Sequence, residues 1–352
     1  MLQVILRLRV ALRAPPDGVP LTTLRQIFPT SKRQRRAHDW RNAPLLRSPI
    51  SIAPHRHLHE APLVSRSLAA KPRLAPLAEE AAALVARATV ARDGRAPVLA
   101  AVIATRQPDA QIYTERLLKQ AAAAGLATKT ITLASDATAD DISRAITELA
   151  ENLDVAGIIL QSPLPDGVDR ATVAKHITVH KDVDGLTAES AALLDAGTLD
   201  GTLLPATAAA VMELLRMYEI PLTGRRAVVV GRSAVVGRPV AQLLRLAGAQ
   251  VEVVHSQTTD MGAVTRTAEI LVVAAGVEGL VRGEHVSRGA VVVDVGIHLR
   301  GESIVGDVDA ASVDAALGPD GWLSPVPGGV GPMTNAMLIL QAARAAVRQA
   351  GA

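Results

Sequence analysis

Apolar positions follow two rhythms from about residue 66 onward. Short runs dominated by small aliphatic residues lie at Val98–Ile103, Val155–Leu160, Ala227–Val230, Val251–Val254, Ile270–Ala275 and Ala290–Val295. Longer amphipathic segments accompany them, among them Ala75–Ala91, Tyr113–Ala124, Ala208–Tyr218 and Pro239–Ala247. Unbroken Val/Ile/Leu runs predict strands buried on both faces, and helices alternating with them predict parallel sheet with crossover helices. No internal repeat accompanies the pattern, which predicts an α/β fold.

Residues 1–65 carry neither period. They hold scattered Pro, a cluster of Lys32, Arg33, Arg35 and Arg36, and the trio His55, His57 and His59. Within residues 1–60, eleven Arg/Lys face only Asp17, Asp39 and Glu60, so the formal charge of +3 comes from this segment and the remainder is net acidic. We read residues 1–65 as a basic, disordered or loosely ordered extension. Arginine-rich, acid-poor composition also fits a targeting peptide, and clustered Arg can neutralise phosphates. A charge run is ordinarily a solvated tail, however, so nucleic acid is not the favoured partner. The histidines lack the carboxylates that would support a metal site.

The length of 352 residues suits two ordinary domains. Apolar residues make up 49% of the chain, yet it holds only one Phe (Phe28), two Tyr and two Trp. The expected core is small and aliphatic, and stacking platforms for single-stranded nucleic acid are scarce. The absence of cysteine excludes disulfides, thiolate zinc sites and a cysteine nucleophile. It is compatible with a reducing compartment, with the cytoplasm as default. No apolar run approaches the ~18 residues of a membrane span. Arg7, Arg9 and Arg13 interrupt the first apolar stretch and spoil a secretory signal.

The clearest chemistry follows the run Ala227–Val230, which leads into Gly231-Arg232-Ser233-Ala234-Val235-Val236-Gly237-Arg238-Pro239 and then the helical Val240–Leu246. Glycines let backbone approach a phosphate, and the next helix offers free amides and the positive end of its dipole. The letters differ from the common G-x-G-x-x-G, so a tight packing turn explains them equally well when taken alone. The run Val251–Val254 ends in His255-Ser256-Gln257-Thr258, with no acid where an NAD site often binds the adenosine ribose. With Arg232 nearby and Ser256 as a hydroxyl donor, NADP is favoured, NAD remaining possible. His255 also reads as an ordinary strand-end residue.

Four segments together are more specific than a fold. They are Gln161-Ser162-Pro163-Leu164-Pro165, Lys181-Asp182-Val183-Asp184-Gly185-Leu186-Thr187, the Gly231–Pro239 loop, and Pro325-Val326-Pro327-Gly328-Gly329-Val330-Gly331-Pro332-Met333-Thr334. In this order they resemble the signatures of the methylenetetrahydrofolate dehydrogenase/cyclohydrolase family, over roughly residues 70 to 345. The resemblance implies a two-domain α/β protein: a folate domain from residues 66–205 completed by the C-terminal helix in 330–352, and a Rossmann-like NAD(P) domain over 206–329. It also implies an interdomain cleft, a homodimer and a tetrahydrofolate-derived substrate. The implied activity is oxidation of 5,10-methylenetetrahydrofolate to the methenyl form, then hydrolysis to 10-formyltetrahydrofolate.

Site residues follow from the same resemblance. Asp184 matches the acid that binds the pteridine ring, although a D-G turn needs no ligand. Tyr113 matches a tyrosine that packs on the folate, and Gln161 supplies an amide beside it from a strand end. Gly231, Arg232, Ser233, Gly237, Arg238, Pro239, Ser256, Gly276, Pro327, Gly328, Gly329 and Thr334 are the implied cofactor-binding positions. Hydride transfer depends mostly on positioning, whereas hydrolysis needs a group that exchanges protons. The family uses a lysine four residues after its tyrosine; here that position is Leu117. Lys119 should point about 200° away around the helix. Arg116 and Gln120 lie closer, but Arg stays protonated and Gln is no base. Ala110 replaces a family serine, and Ala206-Thr207-Ala208-Ala209-Ala210 replaces a Cys-Thr-Pro-Lys-Gly. The expectation is a dehydrogenase with weak or no cyclohydrolase. A fully bifunctional enzyme and a non-catalytic folate- or nucleotide-binding paralogue stand as alternatives.

Overall fold

A computed structural model describes residues 64–352 apart from positions 106 and 302. The basic cluster and histidine trio lie outside the described residues. The strands are β1 (Arg66–Ser67), β2 (Val98–Ile103), β3 (Ala127–Thr132), β4 (Val155–Leu160), β5 (Arg226–Val230), β6 (Gln250–Val254), β7 (Ile270–Val273), β8 (Val291–Asp294), β9 (His298–Arg300), β10 (Ser303–Val305) and β11 (Trp322–Leu323). The helices are α1 (Lys71–Ala91), α2 (Pro108–Ala123), α3 (Ala139–Glu151), α4 (Arg170–Ala174), α5 (Ala188–Asp195), α6 (Ala206–Met217), α7 (Gly237–Leu246), α8 (Met261–Thr265), α9 (Ala310–Leu317) and α10 (Val330–Gln349). None of the described helices is long and apolar enough to cross a membrane.

All six aliphatic runs form strands, with ends shifted by one or two residues. The larger sheet has the order β1-β11-β8-β7-β5-β6, and every neighbouring pair is parallel. Counted from β5, its central strands run 2-1-3-4-5, a doubly wound order whose switch point lies between β5 and β7. Ligands of such sheets bind at the carboxyl ends of the strands beside that point. A second parallel sheet has the order β3-β2-β4, and β9 and β10 form an antiparallel hairpin after β8. Arg66–Ser67, assigned from sequence to the folate part, instead pair with β11 at the edge of the larger sheet. Just before them, Ser65 is buried and anchored, its N–H and hydroxyl both donating to Asp314 at 2.8 and 2.6 Å.

Side-chain alternation explains why the strands read as continuous apolar runs. Ala227 and Val229 of β5 enter one core, whereas Val228 and Val230 enter another on the opposite face. The first core runs without a break from β5, β7 and β8 through α6, α7 and α10 to α1, α2 and β2. A third fills the outer face of β2 and β4 against α3. The C-terminal helix α10 is central to the first core, burying Met333, Met337, Leu338, Ile339, Leu340 and Ala342, among others.

The polar hub of α10 is Gln341, which is 3% exposed. Its Nε2 donates to the carbonyls of Val183 and Leu204, both at 2.8 Å, and its Oε1 accepts the Leu204 N–H at 2.6 Å. These bonds fix α10 to the chain on either side of α5. Gln341→Leu keeps much of the volume but strands one donor and two acceptors. It should destabilise the fold by roughly 2–4 kcal/mol, measured as a lowered urea midpoint at unchanged slope.

Candidate active site

The fold brings the ends of several elements around one cavity of about 610 Å³. Leu74, Leu77 and Ala81 of α1 form one wall, and Tyr113, Arg116 and Gln120 of α2 form the next. The loop Pro325–Gly329, the start of α10 with Asn335, and Asp294–Ile297 beyond β8 close the rest. Pro327, Gly328 and Gly329 therefore meet Tyr113 across one space. Gly328 has φ +120°, a conformation glycine tolerates. A Cβ on Gly329 would stand 2.8 Å from the Pro325 carbonyl oxygen, so the loop requires glycine there. Thr334 is buried with its hydroxyl donating to the Val330 carbonyl at 3.0 Å; it is not among the cavity-lining residues.

Tyr113 is half-buried and its hydroxyl donates to Asn335 Oδ1 at 2.5 Å. Burial, and then the charge of Asp184, push its phenol well above the usual tyrosine range. Gln161 is buried behind this helix; its Oε1 lies 3.2 Å from Thr114 Oγ1, and its Nε2 donates to the Ser162 carbonyl at 2.9 Å. Neither Gln161 nor Asp184 lines the cavity itself.

The Lys181–Thr187 motif divides its work. Lys181 Nζ donates to the Ala150 and Asn152 carbonyls at 2.6 and 2.8 Å, closing the end of α3. Asp182 is fully buried and accepts the N–H groups of Leu186 and Thr187, each at 2.9 Å, and the Ser190 hydroxyl at 2.6 Å. Gly185, at φ +61°, lies so close to Pro205 that a Cβ would fall 2.5 Å from its nitrogen. Asp184 is the acid this architecture leaves spare. Desolvation, then Asp182, push its carboxyl up to about 7, against the opposing pull of Arg170 and the Ala206 amide.

Leu117 is fully buried in the core that also holds Leu77, Ala81, Met333 and Met337. Lys119 is exposed and lines a different depression, with Thr128 and Thr130 of β3, as the helix rotation predicted. Arg116 and Gln120 do reach the cavity.

The Gly231–Pro239 loop lies at the switch point of the larger sheet. Gly231 has φ +112°, and a Cβ on it would sit 2.2 Å from the Ala274 carbonyl oxygen; one on Gly237 would sit 2.2 Å from the Gly231 carbonyl oxygen. Ser233 Oγ accepts the N–H groups of Val236 and Gly237 at 3.3 Å, shaping the entry to α7, where Pro239 is buried. Arg232 donates to Gln257 Oε1 at 3.1 Å, so a cation sits beside exposed Ser256 where an NAD site would often place an acid. This loop and its charge fit a dinucleotide carrying an extra phosphate. Arg238 instead pairs with Asp195 of α5 at 2.5 Å.

Gly276 is held by a network that the sequence did not disclose. Fully buried Asp307 accepts the N–H groups of Ala275 and Gly276 at 2.7 and 2.8 Å and lies 2.7 Å from His298 Nε2. Asp294, lining the cavity, accepts the N–H groups of Gly296, Asp307 and Val308 at 2.9–3.0 Å. Asp294, Asp307 and Asn335 were the residues missed. A Gly-Asp pair after a hairpin was the available signal for Asp307; nothing local marked Asn335.

A parallel sheet in this order, with a glycine turn at its switch point, defines an α/β protein of the dinucleotide-binding class. Residues 205–350 match the tetrahydrofolate dehydrogenase/cyclohydrolase NAD(P)-binding domain, and residues 68–184 match the catalytic domain of the same family. The chain belongs to the tetrahydrofolate dehydrogenase/cyclohydrolase family. The bifunctional protein FolD of Nocardia farcinica is 48% identical over 259 residues, spanning 73% of this chain and 90% of that protein. The crystal structure of the bifunctional FolD methylenetetrahydrofolate dehydrogenase/cyclohydrolase of Campylobacter jejuni superposes with a TM-score of 0.76 at 36% identity, covering 81% of this chain and 99% of that one. The Trypanosoma brucei methylenetetrahydrofolate dehydrogenase-cyclohydrolase, complexed with NADP cofactor and inhibitor, gives a TM-score of 0.76 at 33% identity over 82% and 99% of the two chains.

The Asp184 carboxyl yields a pH test. With a folded value of about 7 against the ordinary 3.8, the native state holds the proton more tightly. That contribution is complete below the unfolded value and is lost as pH rises through 7. Asp184→Asn should therefore exceed the parent in stability at pH 8, by about 1–3 kcal/mol, and match it near pH 4. Thermal unfolding at the two pH values measures the difference.

Proposed function

We propose that this protein oxidises 5,10-methylenetetrahydrofolate to 5,10-methenyltetrahydrofolate with NADP, and that hydrolysis of the methenyl product is weak. The carrying observation is the α2 face, on which Tyr113 borders the cavity while Leu117, one turn later, is buried in the core. NADP, when bound, accepts the hydride lost from the methylene carbon. Arg232 and Ser256 would meet its extra phosphate, and the amides around Gly231–Gly237 its diphosphate.

The protein's own part is orientation. Asp184 would accept hydrogen bonds from the amino and ring N–H groups of the pteridine, while Tyr113 packs on the ring system and Gln161 orders its surroundings. The Pro325–Gly329 backbone holds the reacting carbon within a space lined mostly by apolar groups, and such positioning accounts for much of a hydride-transfer rate. Hydrolysis asks instead for an activated water, and the α2 face supplies no base: the Arg116 guanidinium offers donors only and Gln120 is a neutral amide.

The relatives named bifunctional favour a second reading, in which both steps persist through a substitute group. Assays of the two half-reactions with each cofactor separate the readings. We expect NADP-dependent oxidation together with methenyl hydrolysis near the buffer rate. Leu117→Lys should raise hydrolysis by roughly 10²-fold if a general base is what is missing, with the melting temperature tracked because the site is buried. Parent hydrolysis well above the buffer rate would establish the bifunctional reading; ligand binding without turnover would mark a non-catalytic paralogue.

We further propose a homodimer. β3 pairs only with β2 among the described strands and presents Thr128, Lys129 and Thr130 to solvent, leaving one strand edge for a second copy. Light scattering should give twice the chain mass of 36.7 kDa.

A further inference from the structure

The contact between Tyr113 and Asn335 joins two residues 222 positions apart, one on α2 and one on the opening turns of α10. Both border the cavity, and the loop Pro325–Gly329 leads directly into the helix that carries Asn335. A phenol has one proton to give and lone pairs to accept with. With that proton directed to Asn335 Oδ1, Tyr113 faces the cavity as an acceptor. Leu117 contributes no ammonium to compete for the hydroxyl, and Asn335 is the one side chain among the described residues hydrogen-bonded to it.

The support behind Asn335 is rigid. Its neighbours Met333 and Thr334 are buried, as is Met337, and Gln341 locks the same helix to Val183 and Leu204. Displacement of the Asn335 backbone would thus require movement of a deeply buried helix. A hydroxyl anchored in this way can hold an aromatic ring at a set angle, whereas a free tyrosine would rotate about its side-chain torsions.

We propose that Asn335 is a positioning residue of the dehydrogenase site, fixing the Tyr113 ring against the folate and directing the phenol's acceptor lone pairs toward the reacting end. The inference rests on the methylenetetrahydrofolate reading above, and it adds Asn335 of the C-terminal helix to the folate-facing residues Tyr113, Gln161 and Asp184 from the first half of the chain.

The test compares Asn335→Leu, which removes the acceptor at similar volume, with Asn335→Asp, which keeps an acceptor and no donor. Asn335→Leu should lower kcat for methylenetetrahydrofolate oxidation roughly 10- to 100-fold, with KM for NADP and the melting temperature within error of the parent. Asn335→Asp should recover most of that loss. In a Tyr113→Phe background, Asn335→Leu should add little, since the two residues act as one unit. Full activity in Asn335→Leu, or equal additive losses with and without the Tyr113 hydroxyl, would overturn the proposal. The same cycle is read by calorimetric titration of tetrahydrofolate into the NADP-saturated protein. Absence of turnover in the parent would sink the reaction assigned above, whereas additive binding losses in the cycle would sink the role of Asn335.

Discussion

The burial of α10 is the constraint on which the site depends. This helix lies in the apolar core that runs between the two parallel sheets, packed on α1, α6 and β4. Its amino end continues from the Pro325–Gly329 loop and its middle is pinned by Gln341. The apolar area involved supplies a large driving force, but it is non-directional. Three hydrogen bonds from one amide give it register. Because the cavity is walled by α1, α2 and the start of α10, its shape follows from how α10 seats in that core.

Within this frame the polar residues separate into those used by the fold and those left for a ligand. Lys181, Asp182 and Gly185 close helices and turns, and Asp184 is left near Tyr113 with its carboxyl value raised by burial. Ser233 shapes its own loop, Arg238 is paired with Asp195, and Thr334 is turned into its helix. Asp307 and Asp294 act through backbone amides, with Asp307 holding the Ala275–Gly276 turn near the switch point. Such buried carboxylates are favourable only where donors surround them, and here each finds at least two.

How much of this was legible in the sequence depended on where each contact is encoded. The central strands were readable because both of their faces are covered, which leaves uninterrupted aliphatic runs. β3 was not, since Ala127–Thr132 lies at an edge where Thr128, Lys129 and Thr130 are exposed in succession and no aliphatic run forms. β1 and β11 have two residues each and exist only through pairing with each other and β8. Helix rotation correctly placed Lys119 on the far face of α2, because that geometry is local. The Tyr113–Asn335 bond is long-range, and no spacing rule links residues separated by most of the chain. Likewise, the letters of the Gly231 loop reveal a turn, but only the fold places Ala274 against it and makes a side chain there sterically impossible.

Leu117 is where fold and chemistry pull against each other. A lysine at that position would set its charged chain among the apolar residues of the core that includes Leu77, Ala81 and Met333, whereas leucine completes that core with no charge to solvate. The desolvation cost of a buried cation is removed, and the proton-exchanging group is removed with it. What survives on this face is a phenol whose proton is committed to an amide and whose ionisation is opposed by burial and by a neighbouring carboxylate. That environment suits orientation of a bound ring and is poorly suited to activating water. On the proposed reading, a leucine that packs beneath α2 would favour the step that needs geometry over the step that needs a base.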